Sequence, residues 1–373
     1  MNSQNRNFED ALPPLDRYRE MLRDADAIQG VSLWQDAWRR LRRNWVAMGS
    51  LAFLVLLSLS AILTPIFPLQ SPVEQHLHDR SFAAPNINSV TLGLAQLQGE
   101  QLDAAIRTNW NDPSGFDEAL IRTRLAMFGD WAIPSLCGSD HLGRDMLSRL
   151  FWGARVSLIV GVVATFVSLI IGVSYGAISG YVGGHVDDAM MRVVDILYSI
   201  PFIFLVIFVV MVISEPSIKG YLESFGINRI VAFYFLIGAI YWLTMARVVR
   251  GQVISLKHEQ FVDAARTIGA NPGRIVFVHL VPNVLGVVIV YLTLTIPSVM
   301  LFEAFLSFLG IGVEEPNVSW GLLANEGLKV ITPIRIYWWL VVFPAIALAA
   351  TLYSLNFLGD GLRDALDPRM KNR

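Results

Sequence analysis

The chain is 373 residues long, 54% hydrophobic and only 16% charged, with a mean hydropathy of +0.50 and a formal net charge of -2. That balance excludes a soluble globular domain and supplies no cationic surplus, so nucleic acid is not an expected partner. The single cysteine, Cys137, excludes an intramolecular disulfide, and neither a CxxC pair nor an HExxH stretch points to a metal centre.

Residues 1–30 are polar and mixed in charge, unlike a secretory leader with its early apolar core, and read as a cytoplasmic tail followed by a retained anchor. In "SLWQDAWRRLRRNW", Trp34, Trp38, Leu41 and Trp45 recur at helical spacing while Arg39, Arg40, Arg42 and Arg43 take the other side. This predicts an amphipathic helix over 31–44 lying in the lipid interface. A bilayer-crossing helix needs about 20 apolar residues. Segments of that kind lie near Trp45–Phe67, Val156–Ser179, Ile196–Ile213, Ile230–Val248, Val284–Leu309 and Tyr337–Leu358. The expected fold is therefore an all-α polytopic membrane protein with about six transmembrane helices. Its parts are a first span over 45–67, an outer loop over 68–152, a core domain over 153–359 and a C-terminal tail over 360–373.

The arginines before the first span fall on one side with Arg247, Arg250, Lys257, Arg266 and Arg274 and with Arg363, Arg369, Lys371 and Arg373. The opposite side carries Glu314, Glu315 and Glu326 against Lys329 and Arg335. The positive-inside bias makes the first side, and both termini, cytoplasmic. The outer 68–134 stretch fits either a small ordered unit or a mobile loop. Its His76 and His78 form an HxH pair, which alone rarely binds metal.

"GSDHLGRDMLSR" gathers Asp140, Gly143, Arg144, Asp145 and Arg149 outside the second span. Ser139 or Asp140 suits the start of a short helix, and Asp145 and Arg149 are spaced for an i,i+4 pair. Two readings stand: a cap and salt-bridge network, or an outer gate that meets a substrate-binding protein. Arg155 reads as a snorkelling anchor. In "GYVGGHVDDAMMRVVDILYSIP", Asp187 and Asp188 suit a helix N-terminus, Arg192 can pair with Asp188 or Asp195, and Pro201 is expected to kink the third span. Glu303, in the outer third of the fifth span, either lines a pathway, pairs with an arginine such as Arg149, or stays hydrated near the interface.

"FVDAARTIGANPGRIVFVHLVPNVLG" interrupts the apolar pattern on the cytoplasmic side. Glu259 to Ile268 suits a short helix closed by Gly269, Asn271 and Pro272 would open a second, and Pro282 would stop it. The result is a shaped knob over 259–283 that is either a solvated loop or a docking surface. No GxxxxGK[ST] phosphate loop occurs in the chain. The mid-span regions are almost free of charge, which disfavours an ion-coupled secondary transporter. No nucleophile and base pairing suggests an enzyme.

Asp263-Ala264-Ala265, then Gly269, Pro272 and His279-Leu-Val-Pro282-Asn283 resemble the "EAA" loop of permease subunits in ATP-binding-cassette importers, with Asp263 in place of the usual Glu. "CGSDHLGRDMLSRLFWGARVSL", "GYVGGHVDDAMMR", "LFEAFLSFLGIG" and "FLGDGLRDALDPR" resemble the C-type permease of oligopeptide and dipeptide importers. The resemblance implies a type I importer fold and a non-enzymatic chain that binds no cofactor, with ATP and Mg held by two separate ATPase subunits. It also implies a second permease subunit, an extracytoplasmic substrate-binding protein, a peptide substrate and surrounding membrane lipid. Related systems carry nickel complexes and other small solutes.

Overall fold

A computed structural model describes residues 33–94, 96–227 and 229–366. The expected tail over 1–30, Ser32, Arg369, Lys371 and Arg373 lie outside the described residues. In chain order the elements are α1 (Leu33–Arg43), α2 (Trp45–Ile62), strand β1 (Val90–Thr91), α3 (Glu100–Asn109), α4 (Gly115–Phe128) and strand β2 (Trp131–Ala132). There follow α5 (Met146–Val182), α6 (Gly184–Ser199), α7 (Phe202–Ser214), α8 (Pro216–Ser224), α9 (Arg229–Leu256), α10 (Gln260–Thr267), α11 (Pro272–Phe308), α12 (Trp320–Lys329) and α13 (Trp339–Leu366).

Helices form over Leu33–Arg43 and Trp45–Ile62, where the sequence predicts an amphipathic helix and a first span running on to Phe67. Between them Asn44 caps α2, its side chain accepting the Ala47 amide at 3.1 Å, so the chain can change direction without orphaning the first turn. Ala37 and Leu41 of α1 bury against Ala47 and Ala365, which ties this corner to the end of α13. That last helix runs to Leu366, so residues 360–366 belong to it rather than to a tail.

Five described helices are long and apolar enough to cross a membrane: α2, α5, α9, α11 and α13. The expected span at Ile196–Ile213 is broken instead of kinked, because α6 and α7 meet at 87°. Proline disfavours helical geometry in the residue before it and carries no N–H, and Ile200 is accordingly extended (φ -79, ψ 125). The second span is longer than expected. The acidic-basic motif before it is no separate short helix but leads into α5, a 37-residue helix reaching about 55 Å from end to end.

Close packing in the bundle rests on missing side chains. A Cβ at Gly172 would stand 2.6 Å from Met245 Cβ and 2.8 Å from the Trp242 carbonyl, and one at Gly180 would stand 2.8 Å from the Arg250 carbonyl. Small residues at four-residue spacing thus let α5 and α9 touch along their backbones, which gains dispersion contacts where lipid offers no hydrophobic drive.

The 68–145 connection is the ordered unit of the two alternatives. Val90 pairs with Ala132 in a two-stranded antiparallel sheet, and Leu94, Ile106, Trp110 and Ile121 make a core of their own beneath α3 and α4. This unit is stitched to the bundle by Ser148 Oγ donating to the Gln70 carbonyl at 2.6 Å and by Arg155 reaching Asp117 of α4 at 2.7 Å. Arg155 therefore is an ion-pair donor, stacked over Trp152, and not a snorkelling anchor.

Candidate functional site

Two constellations stand at opposite ends of α5. The first is the knob. Helix α10 ends in a Schellman arrangement: Gly269 has φ +81, its N–H donates to the Arg266 carbonyl at 3.0 Å, and the Ala270 N–H donates to the Ala265 carbonyl at 3.0 Å. The positive φ is why glycine stands there. Asn271 then caps the next helix, its side chain accepting the Arg274 amide at 2.7 Å, with Pro272 at the first helical position.

Pro282 does not stop that helix. Ile275–Leu280 adopts π geometry, in which the Val281 N–H reaches back five residues to the Val276 carbonyl. The wider turn accommodates a proline that has no N–H to give, and the helix continues to Phe308. The second helix of the knob and the fifth span are consequently one element.

The two faces of α10 differ. Val262 and Ala265 are buried with Val253, Ile275, Val276 and Leu280, joining the knob to α9 and α11. Asp263, Ala264, Gly269, Pro272, Pro282 and Asn283 are exposed, and His279 is half-buried with its carbonyl accepting from Asn283 Nδ2 at 2.7 Å. Asp263 pairs with Arg266 at 3.1 Å, and Arg266 lies over the Tyr181 ring at the end of α5. The expected residues are thus gathered, but on two sides: Ala265 faces the bundle and the others face outward. Ile268, 84% exposed, was missed; its signal was an apolar residue directly before the closing glycine.

The second constellation surrounds Asp140. Its Oδ1 accepts the Leu142 and Arg144 amides at 2.9 Å, while its Oδ2 accepts Arg144 Nε and Arg149 Nη1, both at 2.6 Å. Arg149 also donates to Glu326 of α12 at 3.0 Å, and Arg144 donates to Glu315 at 2.8 Å. Gly143 (φ +76) turns the chain hard against the His76 carbonyl, leaving no room for a side chain.

Asp145 does not pair with Arg149; it caps α5 by accepting the Ser148 amide at 2.7 Å. Burial pushes the Asp145 carboxyl up to about 7, with Asp140 adding repulsion. For Arg144, burial alone would lower the pKa, yet Asp140, Glu326 and Glu315 outweigh it and hold the guanidinium above its ordinary value. Glu315, which burial would raise, is held below the usual carboxylate range by Arg144. A cleft of ≈ 340 Å³ opens beside this network between His141, Glu315, Asn325 and Lys329.

Glu303 does not join the network. It is fully buried, its Oε1 accepting Ser307 Oγ at 2.7 Å, so neither hydration nor a pair with Arg149 describes it. Ser307 in turn accepts the Val313 amide at 3.0 Å through its hydroxyl and Asn325 of α12 at 3.0 Å through its carbonyl. At the knob end of α5, Asp187 pairs with Arg250 at 2.6 Å, and Asp195, one of the two partners expected for Arg192, pairs instead with Arg247 at 2.8 Å. Among the described residues no three metal-ligating side chains converge, and His76 approaches only Glu74, at 3.6 Å.

Residues 172–372 match the family model described as binding-protein-dependent transport system inner membrane component. The chain belongs to this family. Residues 32–85 further match the N-terminal transmembrane domain of oligopeptide transport permease C. The permease is 39% identical over 370 residues to the oligopeptide transport system permease protein OppC of Haemophilus influenzae, covering 99% of this chain and 97% of that protein. It is 40% identical over 342 residues to OppC of Escherichia coli K12, covering 92% and 93%. To the dipeptide transport system permease protein DppC of Bacillus subtilis it is 37% identical over 355 residues, covering 95% and 92%. A structure of the inward-facing MetNI methionine ABC transporter aligns with a TM-score of 0.46 at 20% identity, over 60% of the permease and 98% of that chain.

Proposed function

We propose that this permease is one membrane subunit of an ATP-driven importer of peptides. The observation that carries the reading is the knob: a helix-turn-helix projection, exposed on one face, packed against α9 on the other and running into the long apolar α11. Relatives named for oligopeptide and dipeptide transport cover almost the whole chain, which supports peptides as the cargo. Both termini and the knob lie in the cytoplasm, as the arginine distribution argues, and the 68–145 unit faces outward in the inner membrane.

In this reading ATP and Mg belong to two separate ATPase subunits, and a second permease completes the pathway. Asp263, Ala264, Gly269, Pro272, His279, Pro282 and Asn283 meet one ATPase, while Ala265 locks the knob to α11. Closure of the ATPases displaces the knob, and α11 carries the displacement toward Glu303 and α12. The coupling requires that the knob bind the two ATPase states with different free energies. At the outer end Asp140, Gly143, Arg144, Asp145 and Arg149 form the gate that a substrate-binding protein contacts. Glu303 holds α12 in place behind it.

Purification with associated subunits, followed by ATPase measurement with and without di- to pentapeptides and the binding protein, tests this. Stimulation by peptide is expected and is lost with Ala265→Trp while assembly persists. A chain that transports with no ATPase subunit present sinks the proposal.

A further inference from the structure

We propose that α1 carries a binding site for anionic phospholipid headgroups, fixed at the knob-side membrane surface by the protein core. The surface is built from both faces of the helix. Inward, Ala37 and Leu41 are buried against Ala47 and Ala365, so the helix is held by the ends of two spans and does not float on the membrane. Outward, Arg39, Arg42 and Arg43 are exposed.

Only one of the four arginines in the run is neutralised by an acid of its own helix: Arg40 pairs with Asp36 at 2.5 Å. Asp360 and Asp364, exposed on the neighbouring turns of α13, make no ion pair with Arg39, Arg42 or Arg43 among the described residues. Three guanidinium groups therefore project from one short helix, with Arg42 and Arg43 in its last turn, where the helix dipole favours cations.

Depth is set by the aromatics. Trp45 is the first residue of α2 and 82% exposed, and Trp38 is 44% exposed with the Arg42 guanidinium stacked 5.1 Å above its ring. Indoles of this kind settle at headgroup level, which puts the three arginines among lipid phosphates. Only 22% of the α2 window is buried inside the chain, so lipid has free access to this corner. Arginine forks match phosphate oxygens in pairs, and in the orientation proposed above this surface faces the cytoplasmic leaflet, whose anionic headgroups attract basic juxtamembrane segments.

The test uses the full chain in mild detergent, titrated with phosphatidylglycerol or phosphatidylcholine and read by native mass spectrometry. The wild type is expected to retain phosphatidylglycerol in preference. Each surface arginine contributes about fivefold, so Arg39→Gln, Arg42→Gln and Arg43→Gln together weaken it on the order of 100-fold. Arg43→Gln alone weakens it about fivefold, and the triple lysine variant keeps most of the preference. Equal retention of the two lipids by the wild type, an undiminished preference in the glutamine variants, or its loss in the lysine variant overturns the proposal.

Discussion

Val262→Ala separates the two faces of the knob. Val262 is fully buried at the seam of α10, α9 and the first turns of α11. Truncation removes two carbons, about 0.8 kcal/mol each for transfer, and the cavity left in a packed seam brings the cost to about 2 kcal/mol. The loss falls on the contact between knob and bundle, since α10 keeps its glycine turn and its exposed surface. At about 1.4 kcal/mol per factor of ten, the open state of residues 260–270 becomes on the order of 30-fold more populated. Amide exchange of the reconstituted complex reads this directly, and peptide-stimulated ATPase activity falls while the ATPase subunits remain bound. Ile268→Ala is the counterpart: on an 84% exposed side chain it leaves amide exchange unchanged and weakens subunit retention instead. Unchanged exchange over 260–270 in Val262→Ala, or identical behaviour of the two variants, refutes the division of labour.

Arg149→Met removes the buried cation that bridges Asp140 and Glu326 and leaves Arg144 alone to neutralise both, which is expected to destabilise the chain by about 3 kcal/mol, seen as a lowered unfolding temperature in detergent. Asp145→Asn keeps the cap on α5 but removes a carboxyl raised to about 7 in the fold. A raised acid favours the folded state only when protonated, so the wild type loses stability as pH climbs from about 4 to about 7. The asparagine variant is spared that loss, and its advantage, on the order of 4 kcal/mol above pH 7, vanishes toward pH 4. Thermal unfolding at pH 5 and pH 8 checks the sign. Gly269→Ala forces a Cβ into a left-handed position at a cost of about 1 kcal/mol and is expected to lower coupled ATPase activity without affecting membrane insertion.

The local rules carried far. Gly269 and Asn271 each cap where the missing side chain or the side chain dictates, because capping is decided within four residues. The errors came from tertiary context. Pro282 was a fair stop signal, and only a π turn, invisible to periodicity, lets the helix run through it. Arg149 has Asp145 at the right spacing, yet the helix N-terminus claims Asp145 first and Glu326 approaches from 177 positions away. For Glu303 the sequence leaves pathway, arginine pair and hydration all open, because depth along a span says nothing about which neighbours cover it. The expectation for 68–134 stayed open for a related reason: four scattered apolar residues, Leu94, Ile106, Trp110 and Ile121, become a core only once two helices bring them together.

The π turn at Ile275–Leu280 has a mechanical corollary. Each residue added to or removed from a helical turn rotates everything beyond it by about 100°, whereas a tilt decays with distance through soft contacts. A segment wound one residue wider than its surroundings is therefore a store of twist located where the knob joins α11. Relaxing it to ordinary α winding would not push the helix along its axis so much as roll it. Glu303 and Ser307, near the far end, would then swing out of register with Asn325 by an angle, so that a roll, and not a shift along the axis, is what such a relaxation would deliver to α12.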